Sequence, residues 1–190
     1  MKTDDDMYIN LNKLYDLVQA NKKPNLLTGS LICNAVPIKD PYNKWYVPTY
    51  MFSAKKYPNY LSGKKRNILC RKAEQSIITG TAYLMSRVTA GKLFNASLDT
   101  PLFHLEDIFI TGILSSKAKI KPVDNIGFSY TRRKLNSCLF RQTVSTHGVK
   151  LAEMKAIYDK LHTSQDQSCP LIKSKLLRTY GPGKCVWPRL

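Results

Sequence analysis

Acidic residues are scarce in this 190-residue chain: 13 Asp plus Glu face 30 Lys plus Arg, a formal charge of +17. Long apolar runs are missing too. The longest stretches, such as Leu105 to Leu114, are broken by Glu106, Asp107 and Gly112, well short of the roughly 20 residues that a bilayer-spanning helix needs. After Met1 come Lys2, Thr3 and Asp4 to Asp6, where a secretory leader would place its apolar core. The five cysteines (33, 70, 138, 169 and 185) form no CxxC pair and no Cys/His cluster, which excludes a zinc ribbon. Their odd number leaves at least one unpaired within the chain, and both reduced thiols and one or two lumenal disulfides remain compatible with it. The sequon Asn95-Ala96-Ser97 leans towards the lumen. Helix-turn-helix spacing, an RNA-binding signature and interleaved Arg and aromatic residues are all absent, so the positive charge does not read as a nucleic-acid interface.

What is present is a globular composition. The chain is 43% apolar, with 11 Tyr, 6 Phe and 2 Trp, enough to bury the core of one domain. Its positive charge concentrates in residues 64–80 and 163–190, each with five basic residues and one acidic residue. Leu11, Leu14, Tyr15 and Val18 recur at helical spacing and predict an amphipathic helix within 7–20. Residues 26–36 read as extended and buried, Asp40-Pro41-Tyr42-Asn43 as a turn, 44–47 as extended, and 48–60 as an aromatic loop. A strand over 82–86 leads into a helix over 87–97. A second helix over 108–119 is entered through Glu106-Asp107. Leu151, Met154, Ile157, Tyr158 and Leu161 share one face of a helix over 150–161. The segment after Thr163, with Pro170, Pro182 and Pro188, is expected to be poorly ordered.

Three adjacent carboxylates, Asp4, Asp5 and Asp6, repel one another unless a cation or basic groups stand nearby, and hard divalent ions favour such oxygen ligands. The same run also suits a solvated helix N-terminus. Together with the motifs downstream of it, the run gives the order DDDMYIN, KPNLLTG, KDPYNKWYVP, YPNYLSG, TPLFHLEDIFITG and STHG. That order resembles the β1,3-galactosyltransferase-like members of glycosyltransferase family 31, from Lys2 to about Leu161. The resemblance implies an α/β fold, the C-terminal portion of a GT-A type nucleotide-sugar transferase with a mixed sheet flanked by helices. It also implies inverting transfer of a hexose, galactose favoured, from a UDP-sugar to the 3-hydroxyl of an acceptor glycan. A divalent cation, Mn²⁺, and a Golgi membrane location through an N-terminal anchor come with it.

The resemblance also assigns roles. Asp4 to Asp6 correspond to the family's DxD element, with Asp6 as first metal ligand, Asp4 acting through water or the donor's ribose, and Asp5 beside them at the nucleotide. His147 corresponds to a histidine at the metal or diphosphate. Asp107 would be the general base and Glu106 its acidic neighbour. Apart from the resemblance, Lys44, Trp45 and Tyr46, with Tyr57 and Tyr60, could supply an aromatic wall for a pyranose, which packs its C–H face on a ring; core packing is the alternative, Trp45 is the residue singled out, and Gly63 and Gly80 are placed on the same substrate side.

Two departures from the family pattern are visible. The chain begins at the DxD element, without the family's anchor, stem and nucleotide-binding βα units, so this polypeptide alone is expected to be inactive. Residues 64–80 interrupt the run from Tyr60-Leu61-Ser62-Gly63 into Thr81-Ala82-Tyr83, which sets them apart as an insert, a retained short intron being one origin. The expected organisation is thus 1–162 as catalytic domain, interrupted at 64–80, and 163–190 as a basic tail. Two rival readings differ in class: a non-catalytic lumenal protein that binds glycans or partners, and a basic nucleic-acid-binding protein.

Overall fold

The computed structural model describes residues 1–33, 37–48, 50–51, 76–163 and 169–171. The expectations for most of 48–60, for Gly63, for 64–75 and for most of the tail lie outside these residues. Among the described residues a four-stranded mixed sheet takes the order β1 (Lys2–Thr3), β4 (Ser76–Met85), β3 (Leu27–Cys33) and β5 (Val123–Asp124). Strand β4 runs antiparallel to both β1 and β3, while β5 runs parallel to β3. A separate antiparallel pair joins β2 (Met7–Ile9) to β6 (Ser145–His147). Helices α1 (Leu11–Ala20), α2 (Arg87–Ser97), α3 (Ile108–Leu114), α4 (Ser137–Gln142) and α5 (Leu151–Thr163) complete the mixed α/β architecture.

Strand β4 separates two apolar layers: from Ala82 to Leu84 successive side chains point to opposite faces, and the register shift between Gly29 and Leu31 breaks that alternation, so that Ile77 and Ile78 join the layer of Tyr83. Tyr83 joins Leu27, Ile78, Leu93, Phe103, Ile108 and Phe109 on one side. Ala82 and Leu84 join Met7, Leu26, Phe128 and Val144 on the other. A third cluster sets Phe140 and Val149 against Ile157 of α5.

The strand is longer than the sequence pattern suggests. Ser76–Gly80, the end of the segment expected as an insert, forms its first half, with Ile77, Ile78 and Thr79 buried. The expected boundary at Gly80 therefore falls in mid-strand. Polar Thr79 and Thr81 beside two isoleucines hide the strand from a hydrophobicity pattern, but β-branched residues are suited to a pleated core strand.

Helix boundaries follow their caps. Ser86 Oγ accepts the Thr89 N–H at 3.0 Å and starts α2 where the sequence places it. Asn10 Oδ1 accepts the Lys13 N–H at 3.1 Å and starts α1, after Met7–Ile9 has formed a strand rather than a first helical turn. The stripe expected on α1 is only partly used: Leu14 and Leu17 pack on the core, whereas Leu11, Tyr15 and Val18 are exposed. On α5, Leu151 and Tyr158 are likewise exposed while Ile157 is buried.

The helix after Asp107 is a wide π-type helix over Ile108–Leu114, followed by one α turn, Ser115–Lys117. Such helices are rare and concentrate at functional sites. The buried Thr111 hydroxyl accepts the Ile78 N–H at 2.9 Å and lies 2.7 Å from Asp107 O, tying α3 to β4. Gly112 permits the close approach, since a Cβ there would stand 2.9 Å from Ile77 Cγ2. Residues 44–45 form a turn rather than the expected extended strand, and only Tyr46 bridges to Ile38. A Cys138–Cys169 disulfide closes a loop across a separation of 31 residues and holds 169–171 beside α4; a loop of this size stabilises by about 3–4 kcal/mol in the chain-entropy account.

Ile78→Ala removes a fully buried side chain from β4 and is expected to lower stability by about 2–5 kcal/mol in urea unfolding. A loss below about 0.5 kcal/mol would place 76–80 outside the core.

Candidate active site

Met1 to Asp6 lead from one sheet into the other. Asp4 donates its N–H to Thr81 O at 2.9 Å, which extends the β1–β4 pairing by one residue. Asp5 and Asp6 then turn the chain into β2, and Asp6 O accepts the Val149 N–H at 3.1 Å. The acidic run is therefore a loop fixed by backbone hydrogen bonds at both ends, not a helix N-terminus.

The carboxylates of this loop have separate partners. Asp6 Oδ2 lies 3.1 Å from His147 Nε2, brought there by the Met7–His147 register of β2 and β6. Asp4 Oδ1 accepts a 2.6 Å hydrogen bond from Lys2 Nζ. Asp5 is exposed. Lys2 also donates to Gly80 O and stands 3.6 Å from Glu106 Oε2, so one ammonium connects the acidic loop, β4 and the acidic pair.

The Glu106-Asp107 pair packs against Gly80. Asp107 Oδ2 accepts the Gly80 N–H at 3.1 Å and Oδ1 accepts the Ile108 N–H at 2.9 Å. A Cβ at position 80 would stand 3.2 Å from Asp107 Cβ and 3.4 Å from Glu106 Oε2. Burial pushes the Asp107 carboxyl above the ordinary aspartate range; the two backbone hydrogen bonds oppose that shift, the Glu106 charge adds to it and Lys2 counters it. Tyr83 donates its hydroxyl to Glu106 Oε1. Burial, reinforced by Glu106, raises the Tyr83 phenol far above its usual value, so it stays protonated and acts as a donor.

The structure thus gathers Asp4, Glu106, Asp107 and Gly80 around Lys2, and pairs Asp6 with His147 at the far end of the same short loop. Lys44 and Trp45 lie on an exposed turn where the Lys44 ammonium sits 5.1 Å from the Trp45 ring centre. That turn is tied to the approach to Glu106 through His104 Nε2, 2.8 Å from Tyr46 O. Gly63 falls outside the described residues.

Four contributors carry no signal in the sequence. Lys2 and Tyr83 differ from any surface lysine or core tyrosine only in their tertiary neighbours. His104 lies within TPLFHLEDIFITG, but nothing in that motif points to its partner, which is a backbone carbonyl. Arg132 lies beside Gly148 (φ +69°), donating to Gly148 O at 3.4 Å and to Glu153 Oε1 at 2.6 Å, and so ties the residue after His147 to α5 through an ion pair.

Asp6 and His147 are the side chains at this end of the loop that could share a divalent cation. Here Asp6 Oδ2 and His147 Nε2 meet directly at 3.1 Å, the distance of an ordinary hydrogen bond or ion pair. Among the described residues no group of three His, Cys, Asp or Glu gathers to cage an ion. Two protein ligands are what cations that take their remaining oxygens from water and substrate phosphates require.

Residues 1–126 match the family model described as Galactosyltransferase. The chain is 30% identical over 172 residues to "Beta-1,3-galactosyltransferase 1" of Homo sapiens and equally to that of Mus musculus, covering 89% of this chain and 47% of each relative. It is 28% identical over 176 residues to "Beta-1,3-galactosyltransferase 5" of Mus musculus, covering 90% of this chain and 51% of that protein. The chain spans about half the length of the curated relatives it matches. Among the described residues no helix is long and apolar enough to cross a membrane.

The Lys2 bridge has a pH signature. Burial opposes the ammonium, but the hydrogen bond with Asp4 and the Glu106 and Asp4 charges outweigh it, so the Lys2 group is raised above its ordinary value. A raised lysine contributes stability that is fully present below the unfolded value of about 10.4 and is lost as pH rises through the folded value. Lys2→Met is therefore expected to be less stable than the parent at pH 7, with the gap closing above about pH 10.4 in urea titrations. A gap that stays constant through pH 11 would remove Lys2 from the charge network.

Proposed function

Because the chain belongs to the galactosyltransferase family, we propose that its acidic cluster serves an inverting transfer of galactose from UDP-galactose to the 3-hydroxyl of an acceptor glycan. The observation that carries this reading is the connection of the Asp4–Asp6 loop to Glu106-Asp107 through one lysine. An inverting transfer needs positive charge under the departing diphosphate and a base on the opposite side of the sugar, within one cavity.

Asp107 is the base in this scheme. Each of its oxygens accepts one backbone N–H and keeps lone-pair capacity for the acceptor's proton. Burial makes it a stronger proton acceptor than an exposed aspartate. As that proton moves to Asp107, the acceptor oxygen bonds to the anomeric carbon, the bond from that carbon to the diphosphate oxygen breaks, and UDP leaves with the electron pair. One displacement inverts the centre. Glu106, held by Tyr83 and Lys2, fixes the position of Asp107 through the shared turn rather than competing for the proton.

Asp6 and His147 would hold Mn²⁺, and Asp4 and Asp5 would meet the ribose or diphosphate from the same loop. The cation, when bound, supplies Lewis-acid neutralisation of the diphosphate. Trp45 and Tyr46, anchored through His104, offer a ring face to the sugar. The Cys138–Cys169 disulfide suits an oxidising lumen, which fits a Golgi enzyme. A glycan-binding protein without turnover is the second reading, motivated by the direct pairing of Asp6 with His147 and of Asp4 with Lys2, which gives these carboxylates protein partners.

The deciding experiment is transfer from UDP-galactose with Mn²⁺, using the longest form of the protein that cells make. Asp107→Asn is expected to lower kcat by about 10²–10⁴ with little change in donor affinity. The acid limb of the parent's pH profile should lie above the ordinary aspartate value of about 3.9, since activity falls as the raised Asp107 carboxyl takes up its proton. Full activity in the variant would exclude Asp107 as base, and glycan binding without turnover by the parent would favour the second reading.

A further inference from the structure

On α2 the buried side chains are Thr89 and Leu93, and they mark the face turned to the core. At 100° per residue, Arg87, Val88, Gly91, Phe94, Asn95 and Leu98 fall on the opposite side, within about 120° of the helix circumference, so three large apolar side chains share this face with one cation at its N-terminal end. Val88, Phe94 and Leu98 are 48%, 65% and 72% exposed. Among the described residues a Cβ built on Gly91 meets nothing within 4 Å. An apolar face of this kind on a helix is either covered or a liability for association.

Asn95 sits towards the Val88 edge of that face and opens the acceptor tripeptide Asn95-Ala96-Ser97. We propose that Asn95 carries an N-linked glycan that covers the outer face of α2. This rests on the lumenal location of the Proposed function. The Asn95 amide nitrogen forms a bond to the anomeric carbon of a lipid-diphosphate-linked oligosaccharide while the bond from that carbon to the diphosphate oxygen breaks. The lipid diphosphate leaves with the electron pair, and the amide gives one proton to a base of the lumenal oligosaccharyltransferase. Ser97 Oγ, the hydroxyl the tripeptide presents, donates to Phe94 O at 2.7 Å in the folded helix. Transfer therefore precedes closure of the last turn, and the exposed Asn95 side chain lets the helix form afterwards with the sugar pointing to solvent.

The test takes the protein from the cells that make it, with protease protection of intact membrane vesicles run in parallel. Digestion with an N-glycanase in ¹⁸O water is expected to convert Asn95 to ¹⁸O-labelled Asp, detected by peptide mass spectrometry. The accompanying mobility shift is expected to vanish in Asn95→Gln and Ser97→Ala and to persist in Ser97→Thr. Removing the sugar from the folded protein should increase binding of an apolar dye; unchanged binding would overturn the covering role. A protease-protected protein with unmodified Asn95 would overturn the proposal and leave the lumenal reading standing. A protease-accessible protein without sugar would overturn both.

Discussion

Asp107 reaches the backbone of β4 at a position without a side chain. Gly80 donates its N–H to Oδ2 at 3.1 Å, and a methyl group in its place would stand 3.2 Å from Asp107 Cβ. Everything around the cluster is arranged to hold that approach. Thr111 stitches the wide helix α3 to Ile78, Gly112 lets Ile77 come close, and Tyr83 on the same strand holds Glu106. The strand that builds the core is thus also the strand that sets the carboxylates. Core and site depend on each other through β4.

Lys2 extends this constraint to the N-terminal loop. Asp4 and Glu106 come from distant parts of the chain and would repel one another without the ammonium between them. Both contacts are partly exposed, so their worth lies in placement more than in stability. At the other end of the loop the Asp6–His147 pair depends on the β2–β6 register; a slip of one residue would turn His147 to the opposite face. The result is two chemically different ends on one short loop: carboxylate with imidazole at one, carboxylate with ammonium at the other.

Much of this is legible in the sequence, and the limits are physical. Helix α2 can be placed to the residue because Ser86 caps it by a local hydrogen bond. The acidic run, the acidic pair and His147 stand out by resemblance to a family, since composition alone makes the first two equally good as helix-terminal charges. Strand Ser76–Gly80 is hidden because a basic segment precedes it and threonines dilute its pattern. The exposed Leu11, Tyr15 and Val18 show the converse error: helical spacing identifies a face but not whether the fold uses all of it. The links made by Lys2 and His104 join residues up to 104 positions apart in sequence and leave no local mark.

Transfer on this scheme requires that the cation end and the base end of the loop serve one cavity. The most direct measurement is a crystal structure of the longest natural form of the protein with Mn²⁺ and UDP, with manganese located by anomalous scattering. The account predicts an anomalous peak between Asp6 Oδ2 and His147 Nε2, and a diphosphate on the side of the sheet where Asp107 meets Gly80. Manganese held elsewhere, or a diphosphate on the face of β4 away from Asp107, would contradict it.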